Sequence, residues 1–405
     1  MWNRIPRAVV ACSVAAVALS LSSAAHAQVA CDSISNGAPI LYGAGGSAQT
    51  PLVGKAAVLF QASTDPVFIV YKDDGGACTG INALADVGPT VITGTAKYWD
   101  PTTGAQSTCT LPFAGAEVQF ASMGNTALLC PLITDPSLVE GVTSVAGPIS
   151  TVNLLVANAS TQQAISAEAL YFLYGFGGSA GIAPWTNPTP DSFIRRNENS
   201  YVQLYLAEAT GLNAAAFYGV DATSNSKSVS LLAALAEPEA GISFASGEVA
   251  DANRATVRTL AYQHSGQTAA YWPDSSATAF DKINVRNGAY YLWGPGYFYG
   301  RSGGLPGSFL DADVERFVNF FGGLYQPPGT TKTLTEAAIE NKNVPQCAMN
   351  VQRDGDLGEI YAYTPEEPCG CFFDFKATGA TTCDTCTSDA DCGGGASCNF
   401  GYCEG

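Results

Sequence analysis

Two adjacent arginines, Arg195 and Arg196, stand in a chain of 405 residues with only 18 Lys and Arg in all. The stretch around them, SFIRRNENSYVQLYL, reads as a short strand, a polar turn and a helix. A guanidinium just ahead of a helix start suits one kind of chemistry, the holding of an anion. The first N–H groups of a helix lack partners, and the helix dipole is positive at that end. Successive side chains of a strand point to opposite faces, so one of the two arginines is a candidate clamp and the other a candidate surface pair. Ser200, four residues after Arg196, adds a hydroxyl. Two earlier stretches have the same build. GAGGSAQT (43–50) offers the Gly46 N–H and the Ser47 hydroxyl, and GGACTGI (75–81) offers the Thr79 hydroxyl and the Gly80 N–H. If the three bends converge, they line a pocket for a small anion. The alternative is three ordinary turns, with Arg196 in a structural ion pair.

The elements that would position these bends repeat one plan. APILYGAGG is a strand running into a glycine turn, and TPLVGKAAVLFQAS follows as a helix with Thr50 as N-cap and Pro51 in the first turn. VFIVYKDDGGACTGINALADVG repeats strand, turn and helix. EVQFASMGNTALLCPLI and STVNLLVANAS read as strands, ISAEALYFLYGFGG as a helix opened by Ser166, and SVSLLAALAEPEAGISFAS as helix then strand. Repeated strand–turn–helix units indicate an α/β fold with mainly parallel sheets.

Apolar residues make up 47% of the chain and charged residues 13%, which provides for sizeable cores and excludes a disordered protein. The first 27 residues read as an export signal: MWNRIPR is basic, AVVACSVAAVALSLSS apolar, and AHA precedes the cut. A lipid anchor on Cys31 is the alternative processing. No later stretch is long and apolar enough to span a membrane. Removal of the signal leaves a formal charge of about −19, which excludes non-specific nucleic-acid binding.

Of the 13 cysteines, twelve remain after residue 27, an even number in an exported chain, which reads as disulfides. We expect Cys31–Cys78 and Cys109–Cys130 as staples of the body. Seven more cysteines crowd residues 369–403, a tail too poor in large apolar residues to hold together without bridges. CDTC in that tail has zinc-like spacing but no histidine near it. RDGDLGE (353–359) lacks the spacing of a calcium loop and reads as a turn. An enzyme can also be written down: GGSAG (177–181) matches the G-x-S-x-G pattern around Ser179, with His264 as base and Asp221 or Asp251 as third member. It needs a strand before the serine, where the pattern reads helix. No metal or cofactor is expected.

The order of these segments resembles the phosphate-type (PstS-like) periplasmic solute-binding proteins over roughly residues 38–300. GAGGSAQT and GGACTGI are similar to that family's first two glycine turns. The stretch ISAEALYFLYGFGGSAGIAPWTNP resembles its helix ending in Phe-x-Gly, then Trp and Asn-Pro. RRNENSY resembles its Arg-Ser-Asp-x-Ser-Gly-Thr loop, and AYYLWGPGYFY its return strand. The departures fall on the ligand positions. Ala77 stands where the family offers a serine, and Tyr201 and Val202 replace its Gly-Thr. Lys97, in GTAKYWD, falls near the family's proton-accepting aspartate and would add positive charge.

The resemblance implies a two-lobed fold in residues 28–345, followed by a cysteine-rich tail at 346–405. Lobe one combines about 38–113 with 255–345, and lobe two spans about 114–254. It implies non-catalytic capture of a small, phosphate-like anion by Gly46, Ser47, Thr79, Gly80, Lys97, Arg196 and Ser200. The partner would be an ABC-type permease, and the protein would be periplasmic or at the cell surface. The competing class is a secreted interaction protein that keeps the fold with a decayed pocket and uses its tail for contact with another protein.

Overall fold

A computed structural model describes residues 29–35 and 37–405. The export signal at 1–27 lies outside the described residues. The chain opens with β1 (Ile40–Gly45), α1 (Thr50–Ala62), β2 (Phe68–Lys72) and α2 (Cys78–Leu84), the two strand–turn–helix units read from the sequence. β1 and β2 pair in parallel, Ile40 opposite Phe68. β3 (Thr95–Trp99) and β4 (Gln106–Thr110) extend this edge in antiparallel fashion. β5 (Phe120–Met123) returns to pair with β1 in parallel on its other side.

One strand then joins the two lobes. β6 (Val142–Ala157) has 16 residues, about 50 Å of extended chain. Its first half pairs with β9 (Trp293–Arg301), from Val142 opposite Arg301 to Thr151 opposite Trp293. Its second half pairs with β7 (Ser243–Ser246) and β8 (Val257–Thr259). β9 also pairs with β5. A single nine-stranded sheet therefore runs through both lobes in the order β7-β6-β9-β5-β1-β2-β3-β4, with β8 beside β6. The fold is α/β as expected. Parallel pairing holds in β5-β1-β2 and in two small pairs, Ile194–Arg195 with Val220–Asp221 and Ala164–Ser166 with Ala261–Gln263. Pairing is antiparallel where β6 and β9 carry the chain across and back.

The second lobe carries α3 (Ala167–Phe176), α4 (Tyr201–Thr210), α5 (Asn225–Ala233) and α6 (Gly247–Ala252). Ser166 caps α3 by accepting the Ala169 N–H. α7 (Ala312–Phe321) returns to the first lobe, where Phe317, Phe320 and Phe321 close on Phe60, Phe120 and Phe298. Each such ring contributes about 1.5–3 kcal/mol by leaving water. α8 (Leu334–Glu340) opens with a capping box of Thr333 and Glu336, and α9 (Gly370–Thr378) begins the tail.

All twelve cysteines after residue 27 are bridged, but the two body staples differ from the expected pairs. They are Cys31–Cys109 and Cys78–Cys130. The cause is the edge of the sheet. The Thr110 N–H donates to Val29 O, which lays the amino-terminal segment along β4 and sets Cys31 beside Cys109. Cys78 opens α2, which packs on β5, and Cys130 follows β5 closely in sequence. Because its sulfur is bonded to Cys109, Cys31 carries no lipid here. The tail holds Cys347–Cys369, Cys371–Cys383, Cys386–Cys398 and Cys392–Cys403. The sulfurs of Cys386, Cys392 and Cys403 cluster within 4.8 Å, yet each is spent in a bridge and offers no thiolate to zinc.

Candidate functional site

The three bends meet. A Cβ placed on Gly46 would lie 3.3 Å from the Ala77 Cβ and 3.9 Å from the Tyr201 ring. A Cβ on Gly76, whose φ is +88°, would lie 2.9 Å from both the Cβ and the carbonyl oxygen of Asn199. Glycine is required there twice over, by conformation and by the approach of the other lobe. The Cys78 N–H, in the first turn of α2, donates to Asn199 O at 3.2 Å. The lobes are thus closed on each other, and part of the α2 N-terminus is capped by the third bend.

Arg196 lies at the centre of this closure, 1% exposed. Its backbone N–H donates to Gln203 Oε1 at 2.8 Å, which fixes the residue against α4. One guanidinium nitrogen, Nη2, donates to Thr223 O at 2.9 Å. Nε and Nη1 are sealed from solvent and have no acceptor. Burial lowers its pKa to about 10, against the pull of Asp221 and Asp73, so it stays a cation at neutral pH. Arg195 is only half-buried. It braces backbone carbonyls, Gly219 O and Arg196 O, in place of the expected acidic neighbour.

The remaining sequence candidates fall into two groups. Ser47, Ser200 and Thr79 belong to the converging bends. Ser47 Oγ accepts from Asn225 Nδ2 at 3.3 Å, a bond from lobe one to lobe two. Asn225 Oδ1 accepts from the Ser246 N–H, so the contact is anchored in β7. Ser200 is buried ahead of α4 and makes no capping bond. Thr79 turns its hydroxyl toward Gly75, where a Cβ would come within 2.4 Å of it. The other group differs from expectation. The Gly46 N–H is no free donor, because it donates to Ser122 O at 3.1 Å. Gly80 owes its lack of a side chain to packing: a Cβ would lie 2.2 Å from Ala44 O of β1. Lys97 adds no uncompensated charge. Its Nζ meets Asp73 Oδ2 at 2.5 Å, and the same oxygen accepts from Thr50 Oγ1 at 2.5 Å. Thr50 therefore braces Asp73 and does not cap α1.

Tyr201, which the sequence set at a ligand position, and Glu248, which it did not single out, complete the site. Tyr201 occupies the space between the bends. A Cβ on Gly124 would lie 2.4 Å from its ring, and its hydroxyl reaches Thr151 O at 3.4 Å. Glu248, at the start of α6, is buried nearby, with Ser150 Oγ donating to Oε2 at 3.3 Å. Its other oxygen has no partner. Burial pushes its pKa up to about 7, and Asp251 adds to the rise. The signal for Glu248 was present in SFASGEVA, a fourth strand–glycine–helix bend of the same build as the others.

The hydrolase arrangement is absent. Ser179 follows α3 in an exposed single turn and donates to Phe176 O at 2.5 Å, so no strand leads into it. His264 is engaged elsewhere, with Nδ1 3.0 Å from the Tyr262 hydroxyl and its ring stacked on Tyr291.

No family model matches the chain, and no curated protein matches it. Solved structures do. The chain is similar to a protein from Clostridium perfringens assigned as a phosphate ABC transporter substrate-binding protein, solved with bound phosphate. Identity is 14%, the match covers 76% of this chain and 99% of that one, and the TM-score is 0.50. It is also similar to an ABC-type phosphate transport receptor from Vibrio cholerae, at 13% identity, 75% and 99% coverage and a TM-score of 0.46. The first of these likenesses establishes the fold.

Proposed function

Starting from a chain with the PstS-like periplasmic binding-protein fold, we propose that it is an exported, non-catalytic binding protein that takes a small anion between its lobes. The observation that carries this reading is Arg196, a fully buried guanidinium with two unpartnered nitrogens, Nε and Nη1. A buried donor without an acceptor costs about 1–3 kcal/mol, and more when charged. An oxyanion accepting both would remove that cost and add charge-assisted bonds of about 1.5–3 kcal/mol each. In this reading Ser47, Ser200 and Thr79, on the same three bends, would supply hydroxyls, with the half-buried Lys97–Asp73 pair on the side of Asp73. Entry of the anion requires the Ser47–Asn225 and Cys78–Asn199 contacts to part and Tyr201 to shift. In this reading lobe one includes β5, which pairs with β1, so the first crossing falls after Met123, and the partner is an ABC-type permease.

One observation favours the second reading, an interaction protein with a decayed pocket. Tyr201 and Asn199 fill the space where the bends meet. Thermal unfolding with phosphate, sulfate and small carboxylates separates the two. A ligand at a hundredfold excess over its Kd adds about 2.7 kcal/mol to stability. We expect a shift with at least one anion that disappears in Arg196→Met. No shift with any of them in the wild type supports the interaction protein.

A further inference from the structure

The segment that leads from the body to the cysteine-rich tail lies across the inter-lobe strands. Val344 and Ile149 exchange backbone hydrogen bonds of 2.7 and 3.2 Å. Asn343 Nδ2 donates to Ile149 O and Ser150 Oγ at 3.2 and 3.3 Å. Three residues on, Gln346 Nε2 donates to Ala146 O and Gly147 O at 2.9 and 2.8 Å. Between these two grips the β6–β9 ladder changes register, at a bulge between Pro295 and Tyr297. A bulge is where a paired ladder bends most readily. The segment therefore holds β6 on both sides of its flexible point.

The same segment then reaches three other elements. The guanidinium of Arg353 stacks 4.1 Å from the Trp293 ring and 4.7 Å from the Tyr291 ring. It donates to Tyr291 O and to the Tyr205 hydroxyl of α4, both at 3.2 Å. The carboxylate of Asp356 accepts from the Thr126 N–H and hydroxyl at 2.9 and 2.5 Å, on the chain between β5 and β6. Cys347–Cys369 anchors the base of the segment to the tail.

We infer that residues 343–357 form a strap that locks the inter-lobe hinge in the closed arrangement, so that opening the cleft is coupled to release of the strap. The contacts tie one face of β6, β9, α4 and the Thr126 crossing to a single covalent segment. A change in the angle between lobes must break several of them together. The inference concerns the hinge and not the ligand, and its test uses no anion.

The Cys78 amide reports cleft closure, because its acceptor, Asn199 O, belongs to the other lobe. Hydrogen exchange of full-length wild type and of Arg353→Met/Asp356→Asn is compared, with the Val53 amide of α1 as the reference for global unfolding. At least tenfold faster exchange at Cys78 with Val53 unchanged is the expected result. Unchanged exchange at Cys78 overturns the inference, even if Val344 and Ile149 exchange faster, because the strap then peels without opening the lobes. Acceleration of Cys78 and Val53 together also overturns it, as general loosening. If the double variant does not fold, Asp356→Asn alone keeps the shape of the Thr126 contact, removes its charge, and is read by the same criteria.

Discussion

Replacing Glu248 by glutamine should make the stability of this protein less sensitive to alkaline pH. The carboxylate is buried, one of its oxygens has no partner, and its pKa rises from 4.5 to about 7 because burial strips its hydration. Between those values the folded chain keeps a proton that the unfolded chain releases. Stability at this residue is therefore complete below pH 4.5 and is lost as pH rises toward 7. Each tenfold difference in proton affinity corresponds to about 1.4 kcal/mol. From pH 5 to pH 8 the wild type should lose about 2–3 kcal/mol here. Glu248→Gln cannot ionise and does not bear this loss. Urea unfolding with disulfides intact, at pH 5 and pH 8, gives the stability of both proteins, and other titrating groups cancel in their difference. The variant should gain about 2–3 kcal/mol on the wild type across that interval. A gain below about 0.5 kcal/mol, or a loss, would show that the carboxylate is hydrated or matched in solution.

Gly124→Ala drives a methyl into the Tyr201 ring and should cost about 1–3 kcal/mol in urea unfolding. Gly141, where a Cβ meets nothing within 4 Å, gives the control. Opening Cys78–Cys130 with a serine pair releases a loop with a sequence separation of 52 and should cost about 4 kcal/mol. A Cys31–Cys78 bridge found by peptide mapping of the non-reduced wild type would refute the pairing seen here. A double-mutant cycle of Lys97→Met with Asp73→Asn should return a coupling of about 1 kcal/mol, since the pair is only half-buried. Coupling near zero would mean that Lys97 is a free cation at the cleft.

The strand–turn–helix order was legible because glycine clusters and cap residues mark each bend, as at 43–50 and 75–81. The difference in burial between Arg195 and Arg196 agrees with the alternation expected of a strand. Three features were not legible. The start of β6 at Val142 was hidden by Gly147 and Pro148, which read as a loop yet lie in the stretch of β6 facing the β9 bulge. The pairing of Cys31 depends on an amino-terminal segment lying along β4, a contact between residues nearly 80 positions apart. The Lys97–Asp73 pair depends on β3 lying beside β2, with Lys97 opposite Tyr71, and the placement of Tyr201 on how the two lobes meet. That geometry is a property of the closed fold and leaves no local pattern in the chain.

The bond between Cys31 and Cys109 has a consequence for solubility. β4 is the last strand of a nine-stranded sheet, and an uncovered last strand invites pairing with a neighbouring molecule. Here the stretch just before Cys31 shields that rim, and the disulfide keeps it in place. Loss of that one bridge would free the stretch and leave this end of β4 open to pairing with a neighbouring molecule.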